Sequence, residues 1–284
     1  MLVLTLARGS LYALIAIGFA LVFGAGRVLN LFHGGFFLAG AYLAFFLSKL
    51  GVPLHGAPGR ALLTLLAAAA VGVIGYAYFW AVVRRYAGRP IQMMVIGVVC
   101  NLLAAQLFRA TYGTQAAYVE PIVAGTLRIG AARVLWQEAL VLIAALVLFP
   151  SLWWLLRHTR RGAAIRAVAQ DIKGARLVGI RPESVLGTTV AVSALLAGMA
   201  GALAAPVRVV VPELWTFALL KSFTIVIVGG IGSLGGALAT AYALGAVEIF
   251  GGALFGEAEA EFIAVLLALV ALAARPRGVA GEWA

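Results

Sequence analysis

Nine apolar runs set the rhythm of the chain, at about 4–24, 34–50, 61–83, 91–110, 135–156, 185–205, 216–230, 236–254 and 260–274. A helix needs about 20 apolar residues to cross the hydrocarbon core of a bilayer. The pattern therefore predicts an all-α, polytopic integral membrane protein with eight or nine transmembrane or re-entrant helices. The count turns on the second and seventh runs, which are short and interrupted by glycine. Nothing in the pattern resembles a separate soluble domain, so residues 1–284 read as one membrane domain. Its longest polar segment is 157–184.

Composition removes the other classes. Of 284 residues, 64% are hydrophobic and 11% charged, against roughly 25% charged in ordinary soluble domains. So little charge cannot cover a soluble surface, which excludes a soluble enzyme and a disordered chain. A single cysteine, Cys100, excludes a disulfide scaffold. The net charge of +11 sits in short clusters between apolar runs, a signature of membrane topology rather than of nucleic-acid binding. Those clusters are Arg84, Arg85 and Arg89; Arg157, Arg160, Arg161, Arg166, Lys173, Arg176 and Arg181; and Arg275 and Arg277. With the first placed in the cytoplasm, counting through the runs puts the other two there as well. The expected start of the chain is then outside and its end inside. Glu257, Glu259 and Glu261 fall outside, as does loop 111–134, where Arg128 and Arg133 are mild exceptions. The first run reads as a retained span, because its one basic residue, Arg8, lies within it. Trp136, Trp153, Trp154 and Trp215 sit near predicted span ends, where aromatic rings anchor at headgroups.

Two polar breaks interrupt the apolar pattern. Gly230-Ile231-Gly232-Ser233-Leu234-Gly235 fits the dinucleotide fingerprint G-x-G-x-x-G, but it follows an apolar run in a chain with no βαβ pattern. It reads instead as a tight turn whose glycines, with Gly229, let backbone approach a neighbouring helix or line a cavity. The other break is Asn30-Leu31-Phe32-His33-Gly34-Gly35. Interrupted spans point to transport sites, so Asn30, His33, Gly34, Gly229, Gly230 and Gly232 are candidates for the translocation pathway. His33 reads equally as a satisfied interface histidine. No metal site is expected, since His55 and His158 lie in loops on opposite sides. Lys221 and Glu248 are ionisable residues inside consecutive runs, each roughly 7–9 Å below the same surface at 1.5 Å per residue. They are expected to form a buried ion pair, with snorkelling of Lys221 as the rival.

Segment 157–184 combines an apolar stripe, Ile165, Val168, Ile172 and Ala175, with Arg166, Gln170 and Lys173 on another face. Asp171 is the only aspartate in the chain. The stripe is thin and made partly of small residues. A helix over about 163–178 that docks into a protein groove suits it better than one lying on lipid.

Four stretches, in this order and at these separations, resemble the LivH-type permease subunit of bacterial branched-chain amino acid ABC importers: Gly9 to Leu14, Asn30 to Gly34, Arg161 to Asp171 continuing through Ala175 to Ile180, and Lys221 to Ser233. The resemblance covers nearly the whole chain. It departs at Gly35, where the family often has Glu, and in loop 111–134, which carries no family signature. The resemblance implies a permease in the bacterial cytoplasmic membrane that moves branched-chain or similar small amino acids inward. Related permeases carry urea, short amides or other small polar solutes, which is the alternative. It also implies a second, LivM-like permease, two cytoplasmic ATPase subunits and a periplasmic solute-binding protein as partners, with membrane lipid around them and no nucleic acid. ATP and Mg would be bound by the ATPases and no cofactor by this chain, which has no Walker A lysine after its glycine-rich turn. Segment 157–184 would be the cytoplasmic coupling segment, through Arg161, Gly162, Ile165, Arg166, Val168, Asp171, Ile172, Gly174, Ala175 and Gly179. A secondary transporter is disfavoured because Glu248 is the one deep acid, and a membrane enzyme because no nucleophile, base and metal groups converge.

Overall fold

The computed structural model describes residues 1–26, 29–50, 56–86, 88–129, 132–275 and 278–280. His55 and Arg277 lie outside the described residues. Among the described residues, nine long helices occupy the nine apolar runs. They are α1 (Leu2–Gly26), α2 (His33–Lys49), α3 (Gly56–Tyr78), α5 (Pro90–Tyr112), α6 (Trp136–His158), α9 (Pro182–Ala204), α10 (Leu214–Gly229), α11 (Leu234–Phe255) and α12 (Glu257–Ala274). A π-helical turn, Phe79–Val83, and the short α4 (Arg84–Tyr86) prolong α3. Six of these segments are long and apolar enough to cross a membrane; α2 and α10 are shorter, at 17 and 16 residues. Two short helices, α7 (Arg160–Gln170) and α8 (Ile172–Leu177), form the polar segment between α6 and α9.

Local chemistry sets the boundaries. Pro90 and Pro182 open α5 and α9, where proline's missing N–H costs nothing and its fixed φ suits the first turn. Gly256, at φ +108°, ends α11 and turns the chain straight into α12. Loop 111–134 holds one unpredicted element. Strands β1 (Thr126–Ile129) and β2 (Ala132–Leu135) pair antiparallel with Leu127 opposite Val134. The hairpin runs directly into α6, and Leu127 and Val134 supply its β-forming pair.

Helix α1 is the centre of the bundle, buried from Gly9 to Val22 and packed on α11, α9, α10 and α6. Helices α2 and α9 form the next layer, with α3 against α9. The outer faces of α3, α5, α6 and α12 expose Leu66, Leu103, Leu146 and Leu269 among other large apolar side chains. Lipid-facing helices are expected to look like this. Where α2 crosses α9, small residues let the backbones touch: a Cβ on Gly40 would lie 2.1 Å from the Gly198 carbonyl oxygen, and one on Gly201 2.0 Å from that of Phe37. Between helices in lipid, such close packing replaces the hydrophobic drive available in water.

This crossing yields a stability test. Gly40→Ala should cost about 1–3 kcal/mol through overpacking, whereas Gly235→Ala, with open space around its Cβ position, should be neutral or stabilising. Thermal unfolding of the two variants in one detergent measures the difference.

Candidate functional site

The break between α1 and α2 is held from three sides. Asn30 is buried and its Oδ1 accepts the backbone N–H of Phe32 at 3.2 Å. His33, 1% exposed, places Nε2 2.8 Å from the Ile15 carbonyl and Nδ1 3.4 Å from Ser193 Oγ. Phe19 meets the imidazole edge-on, with ring centres 5.4 Å apart. Ile15 lies well before the end of α1, so α2 starts inside the bundle rather than at its surface. Irregular backbone survives at that depth only when protein satisfies its polar groups. Asn101 on α5 does part of this by donating to the Leu31 carbonyl at 2.7 Å. Gly34 lies against the Trp215 carbonyl at the start of α10.

The other break lies at the far end of α10, with different neighbours. Gly230 and Gly232 take φ of +102° and +84°, a region that other residues rarely enter. Ser233 caps α11 by accepting the N–H of Gly236 at 3.0 Å. Gly229 and Gly236 are in backbone contact. Residues 278–280 return here: Val279 N–H donates to the Val228 carbonyl at 2.8 Å and Ala280 N–H to that of Gly229 at 3.2 Å. The G-x-G-x-x-G stretch therefore follows a helix, and part of its backbone is covered by the chain's own tail. The pathway candidates thus form two separate groups: Asn30, His33 and Gly34 in one, and Gly229, Gly230 and Gly232 in the other.

Lys221 and Glu248 come together. Lys221, 5% exposed, donates to Glu248 Oε1 at 2.5 Å, and Glu248 is 7% exposed. The pair is the centre of a larger cluster. Tyr12 on α1 donates to the other Glu248 oxygen, and Arg8 lies 3.8 Å from it. Glu261 on α12 reaches Lys221 at 3.0 Å, and the Lys221 ammonium lies 5.4 Å from the Tyr12 ring centre. Four helices thus meet at one lysine and one glutamate. Sequence reading found the pair but not Tyr12 or Glu261, because only the packing of α1 and α12 brings them in.

Segment 157–184 departs from expectation in two ways. The helix expected over 163–178 breaks at Asp171, whose backbone is extended (φ −150°, ψ 109°) and whose Oδ1 accepts the N–H of Lys173 at 2.8 Å. Aspartate favours a helix N-cap over a helix interior, so α7 stops and α8 starts anew, with Gly174 packed over the Asp171 carboxylate. The expected docking stripe also divides. Ile165, Val168 and Ala175 are buried in the protein itself, Ile165 among Ile17, Leu21, Leu152 and Leu156, whereas Ile172 is exposed. Gly162 lies against the carbonyls of Leu155 and Leu156, so α7 is packed tightly onto the end of α6. What projects is Asp171, Lys173, Leu177 and Val178, the last two 89% and 75% exposed, followed by Gly179 at φ +83°. Arg161 is exposed and Arg166 half-buried. Beside α8, Arg176 pairs with Glu183 at 2.5 Å on the rim of an apolar cavity of about 290 Å3 lined by Val22, Phe79, Val83 and Leu186.

Residues 1–274 match the family described as branched-chain amino acid transport system / permease component. The chain belongs to this permease family. It is 28% identical over 290 residues to the high-affinity branched-chain amino acid transport system permease protein BraD of Pseudomonas aeruginosa, covering 96% of this chain and 92% of that one. Its identity to the corresponding protein LivH of Escherichia coli K12 is 29% over 288 residues, with the same coverage. The fructose import permease protein FrcC of Rhizobium meliloti is 35% identical, but over 86 residues, 30% of this chain and 24% of that one. The chain is therefore a multi-pass membrane protein and a permease subunit of an ABC importer, a system that works with further subunits.

Two further buried polar residues of the permease, besides those of the charge cluster, escaped sequence reading. Buried Gln137 accepts the N–H of Ile122 at 3.0 Å and donates to the Leu203 carbonyl at 2.9 Å, fastening the 113–125 loop to α6 and α9. Asn101 is the other. Both lie in apolar runs and no local spacing marks them.

In this permease, Lys221→Met leaves Glu248 buried without its cation. The variant should lose about 3–5 kcal/mol, and adding Glu248→Gln should restore part of it. Unfolding of the single and double variants measures the coupling, and a double variant as unstable as the sum of the singles would show there is none.

Proposed function

We propose that this permease moves branched-chain or closely similar small amino acids into the cytoplasm across the bacterial inner membrane. The reading rests on similarity to branched-chain permeases along 96% of the chain, against 30% for the sugar permease. The working assembly pairs this chain with a second, LivM-like permease, two cytoplasmic ATPases that bind ATP and Mg, and a periplasmic solute-binding protein. This chain itself binds no cofactor, and residues 1–284 act as one permease domain.

The orientation has the N-terminus outside and the C-terminus inside. It is supported by the gathering of Arg84, Arg85, Arg89, the 157–181 cluster and Arg275 toward the end of the bundle that carries α7, α8 and the tail, since basic residues favour the cytoplasmic side. There α8 serves as the knob. Leu177 and Val178, with Asp171 and Lys173 beside them, offer an exposed apolar tip rimmed by charge. Helix α7 is the lever, because Gly162, Ile165 and Val168 bind it to α6 and α1 too closely for it to move alone. Closure of the ATPases on ATP displaces α8, with the neighbouring cavity giving it room, and shifts the population between outward- and inward-facing states. His33 pins the α1–α2 break and does not touch solute, because both ring nitrogens already face protein partners. The turn at 229–233, tied to the tail, is a pivot beside the pathway.

Proteoliposomes holding the full assembly should accumulate leucine, isoleucine or valine only with ATP and binding protein. Uptake of urea or a short amide instead would replace the substrate reading. Leu177→Asp should cut uptake at least about tenfold by placing a charge in the ATPase contact while the permease still inserts. Unchanged uptake with normal ATPase co-purification would remove α8 from the coupling role. In a Cys100→Ala background, an impermeant maleimide should label Glu259→Cys in intact cells and Lys173→Cys only after permeabilisation.

A further inference from the structure

A polar cavity of about 520 Å3 opens at the end of the bundle that carries the α1 N-terminus, opposite the coupling segment. Arg8, Glu138, Arg208 and Glu257 line it, and Leu11 and Val141 form part of its apolar wall. These residues come from α1, α6, the α9–α10 connection and α12. The charges are matched in number, two guanidinium groups and two carboxylates, yet they do not pair with one another. Arg208 is half-buried, with its guanidinium 3.8 Å from the Phe217 ring centre. Among the described residues its guanidinium has no carboxylate within 4.0 Å and no side-chain hydrogen bond, while its backbone N–H donates to the Ala204 carbonyl at 2.9 Å. Arg8 lies 3.8 Å from Glu248 and beside the Tyr12 hydroxyl. Glu138 spends one oxygen on the N–H of Leu135 at 3.1 Å. Glu257 has no ion-pair partner among the described residues.

Arg208 is half-buried and Glu257 exposed at the cavity mouth, and a half-buried guanidinium without a charged partner is costly unless water or a ligand completes it. Two cations and two anions around one space, with Leu11 and Val141 deeper and buried, complement a small molecule of the same make-up. We infer that this cavity is a binding site within the permease for a zwitterionic α-amino acid: its carboxylate meets Arg208 and Arg8, its ammonium meets Glu257 and Glu138, and its apolar side chain lies toward Leu11 and Val141. Arginine suits the carboxylate because its planar donors engage two oxygens together. A neutral solute such as urea would leave all four charges unanswered. The site rests on the importer reading above and adds to it a place and a chemistry for the solute after release from the binding protein. Arg8 also links this cavity to the buried Lys221–Glu248 cluster.

The test uses the complete permease–ATPase complex in nanodiscs, without binding protein, with L-leucine, 4-methylpentanoate and 3-methylbutylamine as probes in saturation-transfer NMR titrations. Leucine should bind. Arg208→Gln should weaken leucine and 4-methylpentanoate about tenfold to a hundredfold and leave 3-methylbutylamine unchanged. Glu257→Gln should weaken leucine and the amine and spare the acid, and Arg208→Lys should restore most leucine binding. Unfolding temperatures close to wild type exclude misfolding as the cause. Leucine affinity unchanged in both variants, or no leucine binding to the wild type, overturns the site while ATP-driven leucine uptake leaves the importer reading standing. Weakened docking of the loaded binding protein, with leucine binding intact, assigns these charges to docking and also overturns the site. Uptake of uncharged solutes alone by the wild type overturns both.

Discussion

Hydrocarbon offers neither hydrogen bonds nor a hydrophobic drive between helices, and the architecture follows from that constraint. Helices must meet through close backbone contact, as α2 and α9 do at Gly40, Gly198 and Gly201. Every interruption of a helix must find its partners inside the protein. The α1–α2 break finds them in Asn30, His33, Ser193 and Asn101. The α10–α11 turn finds them in Ser233 and in the returning tail. In an aqueous protein, water could have satisfied several of these groups.

The same constraint explains the charge cluster. A lone Lys221 or Glu248 inside the bundle would be expensive, and together they are tolerated because Tyr12 and Glu261 complete their contacts. The arrangement ties α1, α10, α11 and α12 at one point, while desolvating both charges offsets much of their attraction. Its value is more clearly in register: the cluster forms only when four helices sit at one relative depth.

Between the two ends of the bundle, the structure separates tasks. At one end α7 is packed into the membrane helices while α8 projects with an exposed apolar tip. At the other, unpaired charges surround a cavity. Helix α1 runs from Arg8 at the cavity to Leu21 and Ala25, which pack in the same cluster as Ile165 of α7. Helix α1 thus joins the two ends of the bundle through buried contacts.

The sequence by itself determined what depends on local composition. Apolar length placed the helices and left their number at eight or nine, proline and glycine set several of their ends, and clustered arginines gave the expected common side of three loops. The α3 boundary moved, from 61 to Gly56, because an apolar-run criterion cannot see a first turn built of Gly56, Ala57 and Pro58. Matched depth on consecutive runs was enough to bring Lys221 to Glu248, because a short turn leaves consecutive helices little choice of neighbour. Tertiary structure alone decided the rest. Asp171 was legible as unusual but not as a helix break, since its capping role depends on where Lys173 N–H points. Ile165 looked like a face for a partner and packs on α1 and α6, and Val168 is buried with it, because periodicity says that a stripe is buried and not what buries it. Arg8, Glu138, Arg208 and Glu257 are spread over nearly the whole length of the chain. No spacing rule connects residues whose only relation is the space that four separate elements enclose.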